Sequence, residues 1–314
     1  MAGYLYCALA MVTVGSTVVV SKIIGATLPP FTATALRFAM ALPVFLALCW
    51  LLRARMPRVD LRDAALLVMQ ACAGSVGYTV LLISGTTLSS AATAGVLLGT
   101  LPIVSGAFAV LVLGERPSLR LLAAIGLAAI GVIVASGVMW PVAVTVPGAS
   151  AMPDGRVADY GLNVQQALGS ALMLAAVACE AFFILLHKRL RAPIDALPLS
   201  TLMCAMGFLF AGVVALFAEH PWQLEIDAIA WKAMAFYALV PTVLGFLLWY
   251  VGTSRVSGME AALFTALAPV SATILASTIL REPIMPNQLA GLACVLAAVA
   301  SLAWQRLAYG RVEF

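Results

Sequence analysis

The chain alternates long apolar runs with short polar breaks. A helix needs about twenty apolar residues to cross the hydrocarbon core of a bilayer. Runs of that length fall near residues 3–27, 31–52, 62–84, 88–112, 118–139, 165–187, 195–217, 229–251, 257–280 and 286–306. They predict an all-α membrane protein with ten transmembrane helices. Several of the links are very short, which makes the helices they join antiparallel neighbours. Pro29 and Pro30 turn the chain after the first run, where a fixed φ and a missing N–H cost little. Pro117 and Pro283 do the same after Glu115 and Glu282. The longest link, 140–163, carries Pro141, Pro147, Gly148, Pro153, Asp154 and Gly155. It reads as a linker between a first five-helix repeat, 1–139, and a second, 164–314.

The pattern occurs twice. Residues 98–118 read LGTLPIVSGAFAVLVLGERPS, and 167 positions on the chain reads TALAPVSATILASTILREPIM. Without a gap, Gly85 and Thr86 fall on Gly252 and Thr253, Ser90 on Ser257, Pro102 on Pro269 and Glu115 on Glu282. A shared apolar bias gives Leu and Ala matches by chance, but not a proline and a glutamate thirteen apart in both copies. The chain therefore carries an internal repeat. Five helices is an odd number, so the second copy enters the membrane upside down. Two inverted five-helix repeats are a common plan of secondary transporters, with the substrate site near mid-bilayer between the halves.

Composition supports a lipid environment. Hydrophobic residues make up 64% of the 314 and charged residues 10%, with a mean hydropathy of +1.09. Soluble domains carry about 25% charged residues. A net charge of +4 is too small to imply nucleic acid as a partner, and no basic run suggests one, so none is expected. The six cysteines stand singly inside apolar runs, which suits packing rather than disulfides or metal. With the N-terminus inside, 12 of the 17 Lys and Arg residues fall in inner loops and three in outer ones, Lys22 and Arg37 lying within spans. That asymmetry predicts both termini on the cytoplasmic side. The first apolar run lacks a preceding basic segment and reads as a retained span.

The first half resembles the EamA-type half-repeat of the drug/metabolite transporter superfamily. The matching pieces are GSTVVVSKI with Lys22, the turn LPPF, ALRFAMALP with Arg37, SSAATAGVLLGTLPI, and LVLGERPS followed by the small-residue run Leu121 to Ser136. The second half matches through Pro269 and REP at 281–283. Val14 departs from the pattern, where a tryptophan is common. The resemblance implies a ten-helix transporter of small metabolites in a bacterial inner membrane, often an exporter. Within the superfamily the chain is most similar to amino-acid exporters, including those for aromatic amino acids.

The candidate chemistry sits inside the runs. Lys22 and Arg37 lie at similar depth below the outer interface. They read either as a cationic pair for a carboxylate or phosphate, or as side chains snorkelling to headgroups. Under the repeat Lys22 falls on Arg189 and Arg37 on Cys204, so Arg37 is the asymmetric one. Glu180 stands in the middle of an apolar run; it carries a proton, holds a substrate amine, or is a structural acid paired with Lys188 or Arg189. Glu115 and Glu282 read as carboxylates at the N-termini of the helices that follow them. Pro102 and Pro269 read as hinges or plain kinks. Gly95 and Gly99 form a GxxxG pattern, with Ala262 and Ala266 as its twin, which suits close helix packing.

The expected lining of the site is Ser16, Ser75, Tyr78, Thr79, Gly99, Thr100 and Thr265, with Phe246 and Trp249 as aromatic surface. It suits a neutral amino acid. The alternative is a carrier of phosphorylated metabolites or nucleotide sugars, with Lys22 and Arg37 clamping phosphate. The chain shows no nucleophile–base set, phosphate loop or metal cluster, so neither an enzyme nor a cofactor is expected. The expected partners are a small-molecule substrate and the lipid bilayer; oligomeric state is left open.

Overall fold

The computed structural model describes residues 2–57, 59–101, 103–104, 107–108, 119–135, 164–187, 189–191, 194–253, 255, 264 and 267–308. Pro102, Glu115, Thr265, the 140–163 link and the Ala262–Ala266 pair lie outside them. The regular elements among the described residues are all helical: α1 (Ala2–Gly25), α2 (Pro30–Leu51), α3 (Leu61–Gln70), α4 (Tyr78–Leu88), α5 (Ala91–Leu98), α6 (Leu119–Ala135), α7 (Val164–His187), α8 (Ala196–Val214), α9 (Ala228–Tyr237), α10 (Gly245–Thr253), α11 (Leu267–Ile279) and α12 (Pro286–Ala308). Among the described residues, six stretches are long and apolar enough to cross a membrane: Gly3–Gly25, Pro30–Leu51, Leu61–Leu88, Val164–Leu186, Ala196–Glu219 and Ala228–Trp249. Leu122–Ala135, Leu267–Ile279 and Pro286–Ala298 are shorter apolar helices. The expected run 88–112 is described as α5 and a few residues after it.

Three of the long stretches differ from the straight helices expected: the α8 stretch closes in a π-helical segment, Ala215–Glu219, and two others are broken internally. The α3–α4 stretch is broken by a π-helical segment, Ala71–Gly77, and the α9–α10 stretch by another, Ala238–Leu244. The second holds Pro241, which has no N–H to give and so frees a carbonyl a turn back. The first is built of small residues, ACAGSVG, which tolerate the wider turn. These segments lie 167 residues apart end for end, and the coincidence extends outwards. Asp60 caps α3 by accepting from Asp63 N at 2.8 Å, and Asp227 caps α9 by accepting from Ala230 N at 2.7 Å. Those aspartates too are 167 apart, as are the first residues of α6 and α12.

Helices from spans that the repeat relates pack against each other in opposite directions; α2 and α8, like α6 and α12, are direct counterparts, while α5 and α11 are different parts of two related spans. In the α2–α8 pair, Phe31 and Thr32 meet Glu219, Phe38 lies on Gly207, and Cys49 Sγ is 3.2 Å from Thr201 Oγ1. In the α5–α11 pair, Gly95 lies on Ala272 and Thr273, and Gly99 on Pro269. In the α6–α12 pair, Gly131 lies on Gly291 and Val295, while Asn287 reaches the carbonyls of Val134 and Ala135. In each pair the numbers fall along one helix as they rise along the other. Two further contacts are counterparts: Gly85 of α4 packs on Gly169 and Met173 of α7, and Gly252 of α10 packs on Gly3 and Cys7 of α1.

Small residues set these distances. Without a hydrophobic drive between helices in lipid, close backbone approach and dispersion hold them together. Many large apolar side chains face outward, among them Trp50 at 83% exposed and Leu61 at 89%. A surface of this kind needs acyl chains around it.

The α6–α12 contact yields a direct test. A Cβ at Gly291 would lie 2.5 Å from the Gly131 carbonyl oxygen and 2.6 Å from Ala135 Cβ. Gly126, on the same α6, has nothing within 4 Å. Gly291→Val is expected to destabilise the purified protein by about 1–3 kcal/mol, read as a lower thermal midpoint in detergent, and Gly126→Val to leave the midpoint unchanged.

Candidate functional site

Arg37 lies two turns into α2. The start of α2 is held by Glu219, whose Oε1 accepts from Phe31 N at 3.0 Å and whose Oε2 accepts from Thr32 N at 2.6 Å and Thr32 Oγ1 at 2.8 Å. A carboxylate there meets the free N–H groups and positive end of the helix. It fixes α2 to the end of the α8 stretch and so fixes where Arg37 points.

The guanidinium is buried, with 7% of the residue exposed. Its Nε donates to Thr242 Oγ1 and its Nη1 to Thr79 Oγ1, both at 2.8 Å. Thr242 sits in the Ala238–Leu244 segment, and Thr79 follows the Ala71–Gly77 segment by two residues. Both hydroxyls have their protons committed: Thr242 Oγ1 donates to Tyr237 O at 2.8 Å, and Thr79 Oγ1 to Ser75 O at 2.9 Å. They can therefore only accept from the arginine. The Tyr237 carbonyl is five residues before Thr242, a reach the widened turn makes available. The Cζ of Arg37 also lies 4.2 Å from the Tyr237 ring centroid and 5.0 Å from that of Phe38, both within cation–π range.

Glu180 is on α7, which packs along the first π-segment. Gly77 meets Cys179 and Gly74 meets the ring of Phe183, placing Glu180 between them at the level of that segment. Glu180, Arg37 and Tyr78 lie within electrostatic range of each other, deep in the protein. Yet neither Arg37 nor Glu180 belongs to an ion pair among the described residues, and Arg37 Nη2 and the Glu180 carboxylate have no hydrogen-bond partner there. The structural reading pairs Glu180 with Lys188 or Arg189; Lys188 lies outside the described residues, and no ion pair joins Glu180 to Arg189 among them. Cys204, the counterpart of Arg37 under the repeat, lies in the same cluster as Phe38 and within reach of the Arg37 charge.

The structure does not bring Lys22 and Arg37 together. Lys22 Nζ donates to the Ser89 carbonyl and pairs with Glu282 Oε1 at 3.7 Å. Glu282 Oε2 accepts from Ala92 N at 3.3 Å. The glutamate thus serves α5, in the other half of the chain, rather than the helix that follows it in sequence. Gln288 completes this brace, donating to Ser90 Oγ at 2.9 Å and Thr93 Oγ1 at 3.3 Å. The paired cation expected for a phosphate is therefore divided between two places, and one member is already neutralised.

The remaining candidates spread over several contacts. Ser75 supplies the carbonyl that orients Thr79, and Tyr78 makes side-chain contact with Thr17 of α1. Phe246 packs against the cluster of Phe38, Phe45 and Cys204, beside Arg37, and Trp249 against Ala10, Met11 and Ala268. Ser16 is buried on α1 and bonds its own helix at Thr13 O, 2.6 Å. Gly99, Thr100 and Pro269 belong to the α5–α11 side, where Thr100 Oγ1 bonds Leu97 O at 2.7 Å, and share no partner with Arg37. Thr17, Tyr237 and Thr242 were not among the expected site residues. The repeat offered a signal for Thr242, since it is the counterpart of Ser75. A separate surface depression of about 440 Å³, lined by Gly25, Thr27, Pro29, Ser84 and Thr87 among others, carries no charged group.

Antiparallel helix pairs, a surface of exposed large apolar side chains and a buried cation spanned by two broken helices define a multi-pass membrane transporter. The chain belongs to the EamA-like transporter family, which matches residues 1–137 and 167–304. It is 33% identical to the Uncharacterized transporter YetK of Bacillus subtilis (strain 168) over 300 residues, 95% of this chain and 86% of that protein. It is 24% identical to the Uncharacterized transporter YyaM of the same organism over 273 residues, 86% of this chain and 83% of that one. A solved crystal structure at 18% identity shares the fold, with a TM-score of 0.63 over 98% of this chain and 99% of that chain.

The threonine pair supports a measurable prediction. A hydrogen bond to a charged group contributes about 1.5–3 kcal/mol. Thr79→Val and Thr242→Val are each expected to lower the thermal midpoint of the protein in nanodiscs. The double variant should lose less than the sum, because both act on one guanidinium. Two strictly additive losses would mean the hydroxyls act independently of Arg37.

Proposed function

We propose that the chain is a secondary transporter that exports neutral amino acids, aromatic ones included, across a bacterial inner membrane. The observation that carries this reading is Arg37. It is a permanent cation buried in the bundle, held at two nitrogens by hydroxyls from opposite halves of the chain, with no hydrogen bond at the third among the described residues. A buried cation left without a counter-charge is costly, and a carboxylate on the solute supplies one by a charge-assisted bond. Tyr237, Phe38 and Phe246 around it offer aromatic surface for an apolar side chain. Ser75, Tyr78 and Thr79 line the same region; Ser16, Gly99, Thr100, Thr265 and Trp249 are assigned to the path beyond it, with Pro102 and Pro269 as hinges.

The transport cycle follows from the architecture. We read residues 1–139 and 164–314 as two inverted repeats joined by the periplasmic link 140–163, with ten helices and both termini cytoplasmic. The antiparallel packing of α2 on α8, α5 on α11 and α6 on α12 supports this, because an axis in the membrane plane reverses each span onto its counterpart. Arg37 bridges the broken helices of both halves, so a movement of one half against the other changes its surroundings. In this orientation the Lys22–Glu282–Ala92 brace closes the outer end. The phosphorylated-metabolite alternative is disfavoured by the same brace, since Glu282 offsets the charge of Lys22 and leaves Arg37 as the one member of that expected pair without a carboxylate among the described residues.

Proteoliposomes test the reading. Saturable uptake of labelled phenylalanine or leucine is expected, competed by other neutral amino acids and not by hexose phosphates. Arg37→Gln is expected to reduce that uptake at least about tenfold. Inhibition by hexose phosphates without inhibition by amino acids would reverse the assignment.

A further inference from the structure

An arginine and a glutamate stand within electrostatic range of each other inside this bundle, with no hydrogen bond or ion pair between them among the described residues. At an effective dielectric of about 20, unit charges 4 Å apart attract by about 4 kcal/mol, so free side chains would close onto each other. Here the arginine is held back and the glutamate rides on a helix whose position is fixed. Arg37 is pinned by Thr79 and Thr242 and faced by the Tyr237 and Phe38 rings. Glu180 is carried on α7, whose depth and rotation are set by the Gly77–Cys179 and Gly74–Phe183 contacts. The two side chains lie within electrostatic range of each other, and neither makes an ion pair among the described residues.

We propose that Glu180 is the specificity-determining residue that receives the α-ammonium group of the substrate, opposite the carboxylate held by Arg37. The proposal rests on the amino-acid reading above and deepens it. An α-amino acid carries its carboxylate and ammonium on one carbon. Seated between Arg37 and Glu180, it gives each charge a counter-charge at once and leaves no net charge in the site. A carboxylic acid without the amine leaves Glu180 unpaired; an amine without the carboxylate leaves Arg37 unpaired. A site whose polar groups are stranded by the wrong solute rejects it strongly. The groups facing Glu180 from neighbouring elements are Arg37 of α2 and Tyr78 of α4. Tyr78 offers a hydroxyl to the same ammonium.

The test is competition against labelled phenylalanine in proteoliposomes of the full chain, using 3-phenylpropionate, which lacks the ammonium, and phenethylamine, which lacks the carboxylate. Wild type is expected to discriminate against both at least about tenfold. In Glu180→Gln the discrimination against 3-phenylpropionate is expected to fall to near parity, while that against phenethylamine persists because Arg37 is untouched. Unchanged discrimination against 3-phenylpropionate overturns the proposal and leaves the transport reading standing. Absence of phenylalanine uptake by wild type overturns both. If Glu180→Gln is lost on purification, Glu180→Asp serves instead. It keeps the charge and withdraws it by one methylene, so phenylalanine affinity should fall severalfold and 3-phenylpropionate affinity should not. Equal losses for the two solutes would mark Glu180 as structural.

Discussion

A permanent positive charge inside a membrane protein must be satisfied by the protein or by what the protein binds. Arg37 is satisfied in part. Two of its nitrogens reach threonine hydroxyls, its face meets two aromatic rings, and no carboxylate closes on it among the described residues. Much of the surrounding architecture serves that arrangement. The widened turn at Ala238–Leu244 lets Thr242 give its proton to a carbonyl five residues back and present its lone pairs to the guanidinium. Glu219 at the N-terminus of α2 sets the depth from which Arg37 reaches across. Segments of π-helix often mark functional positions, because they trade regular hydrogen bonding for a re-aimed side chain.

The same arrangement ties the two halves of the chain. Thr79 belongs to the first copy of the repeat and Thr242 to the second, and both bond one side chain. The backbones around them approach through glycines: Gly85 and Gly252, at corresponding positions, each lie on the first long helix of the opposite half. At the other end of α1, Lys22 and Glu282 again join the first copy to the second. Contacts that cross between halves, rather than contacts within each, therefore fix the relation on which a transport movement would act.

Much of this was legible in the sequence. Run length gave the long helices to within a few residues, and the Pro–Glu recurrence gave the offset that α3, α6, α9 and α12 then follow. Arg37 stood out because the repeat replaces it with Cys204. Three features were hidden. The π-segments leave no periodic trace, since Ala71–Gly77 is as small and apolar as its neighbours. Thr242 reads as one more tolerated hydroxyl until its geometry is known. Glu282 was assigned to the helix that follows it, because sequence shows chain neighbours and not the N-terminus of α5, 190 residues earlier, that it caps. The caps Asp60 and Asp227 were visible at the same offset, and acidic residues at helix starts would have revealed them.

The central claim of the proposal is that Arg37 Nη2, which has no hydrogen-bond partner among the described residues, is the seat of the substrate carboxylate. The most direct measurement is an experimental structure of the protein in nanodiscs at saturating phenylalanine, compared with one without it. The account predicts ligand density between α2 and α7, with a carboxylate in hydrogen-bond distance of the Arg37 guanidinium and the Thr79 and Thr242 bonds intact. An Arg37 closed onto Glu180 as an ion pair in both structures, with no ligand beside it, would contradict the account.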